Sequence, residues 1–131
     1  MGKVYIVAAR RTATGVQLGS LKDLKAPELG AIVAKQVMVD AKIEPSQIEE
    51  VFVGEIFTAG VGGGPARQTA RLAGIPDEVT ASAINMLCAS GMKAIIHGFT
   101  YIKAGYRDLV LAVGQESMTQ APYLIDRKSV V

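Results

Sequence analysis

Apolar positions along this chain change their period several times, and each change predicts an element. Lys3 to Ala9 is rich in β-branched and small apolar residues and ends at Arg10-Arg11-Thr12. That pattern predicts a buried first strand running into a polar loop. From Pro27 the spacing becomes helical, with Leu29, Ile32, Val33 and Val37 recurring on one side. Pro27 suits a first helical position and Glu28 sits where the positive end of the helix dipole favours a carboxylate, so a helix is expected from about Pro27 to Ala41. Pro45 and Ser46 punctuate, and Val51 to Phe57 reads as a second strand. The run Gly60-Val61-Gly62-Gly63-Gly64-Pro65 must be a loop, because so many glycines cannot sustain a ladder. Pro65 then opens a short helix closed by Gly74 and Pro76.

Val79 to Ile84 predicts a third strand of small residues, and a helix follows Asn85-Met86-Leu87-Cys88-Ala89-Ser90-Gly91 as far as Ala104, with Gly105 as its stop. Leu109 to Val113 is the fourth expected strand. Strand and helix alternate, which predicts an α/β fold with a mostly parallel sheet built by right-handed crossovers. At 100° per residue the third helix carries two different stripes. Cys88, Met92, Ile95, Phe99 and Ile102 are mostly large, whereas Gly91, Ala94, Gly98 and Gly105 are very small. Glycine costs about 1 kcal/mol against alanine inside a helix, so the small stripe calls for a packing reason. The large face suits a sheet and the small one a closely approaching helix, which would put this helix between two layers. A frayed or solvent-facing stripe is the plainer alternative.

At 131 residues the chain is the size of one domain. Half of its residues are hydrophobic and a fifth are charged, a composition that folds. The 14 Lys and Arg against 12 Asp and Glu are scattered rather than gathered in a stripe, which gives nucleic-acid binding no support. No run of about 18 uncharged apolar residues is present, so no membrane span is expected, and no cleavable signal pattern precedes Lys3. A cytoplasmic protein is the expectation.

A single cysteine excludes an internal disulfide and a multi-cysteine metal site. Cys88 stands where a strand meets a helix, and there unpaired N–H groups and the helix dipole favour a thiolate. The position alone fits either a reactive nucleophile or an inert core thiol. His97, the only histidine, is nine residues further on, about 13 Å along a continuous helix and about 180° around it. It cannot serve Cys88. The glycine run has proline where a dinucleotide fingerprint needs its third glycine and lacks the Gly-Lys-Ser/Thr of a P-loop, so a structural loop is favoured over a phosphate cradle. Glu55 and Glu116 follow the second and fourth strands, where they suit acid–base chemistry or plain hydrogen bonding to loop backbone. Arg10, Arg11 and Arg67 could meet phosphates or anchor loops.

The stretch from Asn85 to Ala94 closely resembles the acyl-enzyme motif of the thiolases, with Asn three residues before the nucleophilic cysteine and Ala-Ser-Gly after it. Ala8-Ala9-Arg10-Arg11-Thr12, Ser20-Leu21-Lys22-Asp23-Leu24, Pro65-Ala66-Arg67-Gln68 and Glu116-Ser117-Met118 with Ala121-Pro122-Tyr123-Leu124 resemble thiolase segments in thiolase order. The resemblance implies a thiolase-like fold, of which residues 1–131 would be part of the N-terminal domain, with strand order 3-2-1-4, helices on both faces and the third helix in a shared middle layer. The loop domain and carboxyl-terminal domain would be absent. It also implies an acyltransferase that condenses two acetyl-CoA, or thiolyses 3-ketoacyl-CoA, through a thioester on Cys88. Coenzyme A would be the acyl carrier, with no permanently bound cofactor and no metal. Acyl-CoA substrates and a second copy or a complementing carboxyl-terminal half are the implied partners.

In thiolases the activating histidine and a second, acid–base cysteine come from the carboxyl-terminal half, so this chain is expected to be inactive alone. It also departs from the family pattern at Ala13 for the usual proline, Gly63-Gly64 for Gln-Asn, Val113 and Gln115 within the usual Gly-Gly-Met, and in the tail from Asp126. Three rivals remain. They are a noncatalytic assembly module, a nucleotide-binding domain, and another condensing enzyme such as a ketoacyl synthase, which Ala89-Ser90-Gly91-Met92 disfavours.

Overall fold

Three short β-rich segments pair side by side in the computed structural model, which describes residues 2–126 and 128. Met1, Arg127 and residues 129–131 lie outside that description, and with them most of the divergent tail. The strands are β1 (Glu50–Gly54), β2 (Thr80–Ile84) and β3 (Val110–Gly114), all parallel, in the order β2-β1-β3. Three helices accompany them: α1 (Ala26–Ala41), α2 (Pro65–Leu72) and α3 (Ser90–Lys103). β2 and β3 flank β1 on opposite sides, so crossovers of one hand put α2 and α3 on opposite faces of the sheet.

β1 is buried along its whole length, as a central parallel strand must be. The side-chain alternation then divides the core. Val51, Val53, Leu111 and Val113 pack with Ala31, Ala34, Met38, Ala66 and Ala70 of α1 and α2. Phe52 points the other way, onto His97 and Tyr101 of α3 at ring separations of 5.5 and 4.9 Å. α1 buries Gly30, Ala31, Ala34 and Met38, while Leu29, Val33 and Val37 flank that face and Ile32 is exposed. Small residues win the central stripe because they let the helix approach both sheet and α2. Glu28 accepts the Lys25 amide proton at 2.7 Å, which closes the start of α1.

The strand order differs from expectation in one detail. The expected third, second and fourth strands are β2, β1 and β3, but Lys3–Ala9 joins no ladder. β1 pairs residue for residue with both neighbours, from Glu50 opposite Thr80 and Val110 to Gly54 opposite Ile84 and Gly114. Neither of its edges is left for a further strand. The segment instead runs extended and exposed through Tyr5, Ile6 and Val7, tied at one end by the Lys103 amine donating to the Gly2 carbonyl and at the other by Arg10 paired with Asp40.

α3 is also turned the other way from expectation. Its small stripe meets the sheet: a Cβ on Gly98 would stand 3.1 Å from Val110, and one on Gly91 3.5 Å from the Gly114 Cα. Met92, Ile95 and Phe99 face outward and are 62, 46 and 50% exposed.

Candidate active site

The motif from Asn85 to Gly91 leaves the carboxyl end of β2 and enters α3 without slack. Leu87 adopts φ 51°, left-handed backbone that a branched side chain takes only when its surroundings enforce it. Two side chains do so. Asn85 Oδ1 accepts the Leu87 amide proton at 3.0 Å, and Ser90 Oγ accepts from the Met86 amide at 2.8 Å while donating to the Leu87 carbonyl at 2.6 Å. The turn leaves Cys88 exposed, two residues before the first helical position.

The floor of this turn is bare backbone. A Cβ on Gly54 would lie 2.3 Å from the Ser90 carbonyl carbon, and one on Gly114 would lie 3.2 Å from the Gly91 Cα. The first turn of α3 therefore rests directly on the ends of β1 and β3, which only glycine allows. The loop after β1 is held in turn. Glu116 accepts the Ile56 and Phe57 amide protons at 2.9 and 3.0 Å, and the Asn85 side-chain Nδ2 donates to the Ile56 carbonyl at 3.3 Å. Gly54, Ile56, Leu87, Cys88, Ser90 and Glu116 line an open cleft.

Glu116 thus takes the plain role of binding loop backbone. Glu55 does not. It points to the α2 side of the sheet, 1% exposed, where it contacts Gln115, which in turn contacts Thr69. Burial, and then the nearby Glu116 charge, push the Glu55 carboxyl above its ordinary range, while the Gln115 hydrogen bond opposes them.

His97 stays on the sheet side of α3 with its ring edge-on to Phe52, so the structure does not bring it to the thiol. The glycine run is a loop with positive φ at Gly60, Gly62 and Gly64, laced by Gln68 Nε2 donating to the Val61 and Gly63 carbonyls. Those bonds fit the structural reading. Arg10 pairs with Asp40 and Arg11 donates to Thr14 at 2.8 Å. Among the described residues no group of three or more His, Cys, Asp or Glu is placed to hold a metal ion, and no helix is long and apolar enough to cross a membrane.

Sequence reasoning found Cys88 and Asn85 but missed Ser90 and Leu87 as the parts that shape the turn. A serine two residues after Cys88, opening a helix, was the available signal. What remains is a thiol on a rigid mount at the carboxyl edge of a parallel sheet, where α/β folds gather their sites.

Known proteins resemble this chain in sequence and in fold. An acetyl-CoA acetyltransferase of Cupriavidus necator is 46% identical over 125 residues, 95% of this chain and 32% of its own length. A cytosolic acetyl-CoA acetyltransferase of Gibberella zeae is 46% identical over 122 residues, 93% of this chain and 31% of its own. A thiolase from Ascaris suum, solved in complex with coenzyme A, superposes with a TM-score of 0.92 at 40% identity, over 94% of this chain and 32% of that one. The chain spans about a third of the length of these relatives. The family model for the thiolase N-terminal domain matches residues 4–130, and by that match the chain belongs to the thiolase family.

Proposed function

We propose that Cys88 is the acyl-accepting nucleophile of a thiolase whose substrates are acyl-CoA thioesters, acetyl-CoA foremost. The cysteine sulfur attacks the acyl carbonyl of the first thioester, and coenzyme A leaves as a thiol, carrying the proton that Cys88 gave up. A second acyl-CoA, deprotonated at its α-carbon, attacks the new thioester. Its carbanion forms the carbon–carbon bond and the Cys88 sulfur departs. Thiolysis of a 3-ketoacyl-CoA is the same sequence reversed. A thioester is activated enough to be passed on to carbon, which is what this chemistry needs from its nucleophile.

The observation that carries this reading is the exposed Cys88 on a turn fixed by Asn85 and Ser90 over a glycine floor. Among the described residues no free base stands ready to take protons from the thiol or from a substrate α-carbon: the chain's one histidine is packed on Phe52, and Glu116, which lines the cleft, is engaged at the Ile56 and Phe57 amides. The 131-residue chain is therefore expected to be inactive alone and to work with a second copy or a complementing carboxyl-terminal half. The cytoplasm, where a lone thiol stays reduced, suits it.

The test is peptide mass mapping after acetyl-CoA is added to this chain combined with the carboxyl-terminal part of the Cupriavidus necator relative. An acetyl adduct on Cys88, and loss of turnover in Cys88→Ala, are expected. An adduct on another side chain with full turnover in Cys88→Ala would end the proposal, and ordinary thiolysis by the chain alone would end the claim of dependence. The second reading, a noncatalytic assembly module, draws on the outward Met92, Ile95 and Phe99. Light scattering that finds obligatory assembly, together with an inert Cys88, would favour it.

A further inference from the structure

Beneath the cleft, on the side of the sheet away from Cys88, three polar side chains are buried together, and their proton count can be taken. The two ends of the Gln115 amide lie 2.7 Å from Glu55 Oε2 and 2.8 Å from Thr69 Oγ1, and Thr69 Oγ1 is also 3.0 Å from the Pro65 carbonyl. Glu55 Oε1 is buried without a hydrogen-bond partner. Gln115 has no room to swing away, because a Cβ on Gly30 of α1 would already fall 2.0 Å from its tip.

Two proton arrangements fit these distances. In the first, Glu55 is ionised and accepts from the Gln115 NH2 group, while Thr69 spends its single hydroxyl proton on the Gln115 oxygen. Only two bonds can then form, and a buried carboxylate keeps one oxygen unpaired. In the second, Thr69 donates to Pro65, which can only accept, and so accepts from the Gln115 NH2 group. The amide oxygen then faces Glu55, and Glu55 must be the donor. Three protons make three bonds and no charge is buried. The two ends of a glutamine amide are alike in size, so both arrangements share one set of atomic positions.

The surrounding charges favour the second. Glu116 is the charged group whose field reaches Glu55, and it is of like sign. On α2, Arg67 and Arg71 stand two residues either side of Thr69, about 200° around the helix, and Arg71 is engaged with Asp77. Arg67, although one of its Nη atoms is buried without a hydrogen-bond partner, makes no ion pair with Glu55 and is not among the groups whose charge acts on it. On α1, Gly30 covers Gln115 and Glu28 is engaged at the Lys25 amide. On β1, Glu50 points to the other face and pairs with Arg107. Among the described residues no cation compensates an ionised Glu55.

We propose that Glu55 is carried as a neutral carboxylic acid donating its proton to Gln115, and that this proton holds the β1–β3 seam closed under the cleft. Loss of the proton leaves the oxygens of Glu55 and Gln115 facing each other or, once the Gln115 amide has turned, a buried carboxylate without a cation and one hydrogen bond fewer in the cluster. The seam beneath Gly54 and Gly114 then loosens. The pairing needs Gln115, one of the positions where this chain departs from the family pattern, so the device is a property of this chain rather than of thiolases at large.

The test is infrared spectroscopy of the full chain carrying isotope-labelled glutamate. At a pH of about 6, where an ordinary glutamate is ionised, a protonated carboxyl C=O band is expected, absent in Glu55→Gln and fading as pH rises. In Gln115→Met the acid loses its acceptor, and the band should move to higher wavenumber. In parallel, the folding constant of the native chain should fall relative to that of Glu55→Gln by up to about tenfold per pH unit between the unfolded and folded pKa values. The absence of a protonated band at that pH overturns the proposal, as does a band that stays in Glu55→Gln or that Gln115→Met leaves in place. None of these readouts depends on Cys88 chemistry, so they stand or fall separately from the acyl-transfer reading. The Gln115→Met shift keeps the test decisive even where Glu55→Gln does not fold, because Gln115 is hydrogen-bonded to Glu55.

Discussion

The two faces of the sheet are built from the same strands by opposite packing rules. Toward α1 and α2 the strands present Val51, Val53, Leu111 and Val113, and the helices answer with alanines, so branched side chains from the sheet fill the space. Toward α3 the strands present two kinds of contact: Phe52 packs on His97 and Tyr101 and Val110 lies under Gly98, while Gly54 and Gly114 meet the backbone of Ser90 and Gly91 directly beneath the Cys88 turn. The outer side of α3 leaves Met92, Ile95 and Phe99 in water, as α1 and α2 leave Ile32, Val39 and Leu72. Side-chain packing tolerates small adjustments, but backbone contact does not. The face that carries Cys88 is thus the one with the least freedom at its floor.

The contrast breaks first at Gly54. In Gly54→Ala the new methyl would fall 2.3 Å from the Ser90 carbonyl carbon, and backbone on both sides forbids a rotamer escape. Destabilisation of about 3 kcal/mol or more is expected in denaturant unfolding, together with displacement of the Cys88 turn. A loss below about 1 kcal/mol would mean that α3 can lift off the sheet and that the two faces differ less than argued.

The next test compares one deletion on each face. Val53→Ala removes two methyl groups at a position with 0% exposure, and about 2 kcal/mol should be lost. Phe99→Ser removes a much larger side chain from the outer face of α3, where half its surface is already exposed. The ring's covered half and its approach to the Lys103 amine, 5.8 Å from the ring centre, are lost, and the change should be about 1 kcal/mol in the chain by itself, below the Val53 loss. Equal losses would show that the outer face is covered in solution. With a complementing half present, the Phe99 loss should grow and the Val53 loss should not.

These tests also mark how far the sequence alone reaches. Strand and helix positions were legible because local signals set them: Pro27 and Pro65 stand in the first turns of α1 and α2, Gly105 with φ 75° ends α3, and β-branched runs become β1 and β3. Cys88 and Asn85 were legible through a contiguous motif. Orientation was not, because α3 has two apolar stripes and nothing local says which one the sheet accepts. Nor was the fate of Lys3–Ala9, since a β-branched run states a preference but not a partner. The Glu55–Gln115–Thr69 cluster joins residues 46 and 60 positions apart, and no spacing rule announces such a meeting.

The smallest expected effect concerns the opposite end of β1, where Glu49 behaves as the mirror of Glu55. Its exposed carboxylate accepts the Asp108 and Leu109 amide protons at 2.6 and 3.2 Å, and these bonds, the one from Asp108 first, hold its pKa below the ordinary value. A depressed carboxyl stabilises the fold above its unfolded pKa, and that contribution is lost as pH falls through the folded pKa, the reverse of the Glu55 case. Glu49→Gln should therefore lower Tm slightly near a pH of about 7, and the gap from the native chain should close in acid, where both forms are neutral. A gap of constant size down to low pH would assign the effect to the amide's shape rather than to the carboxylate's charge. The two ends of β1 would then differ in packing alone, with pH sensitivity left to the Glu55 end.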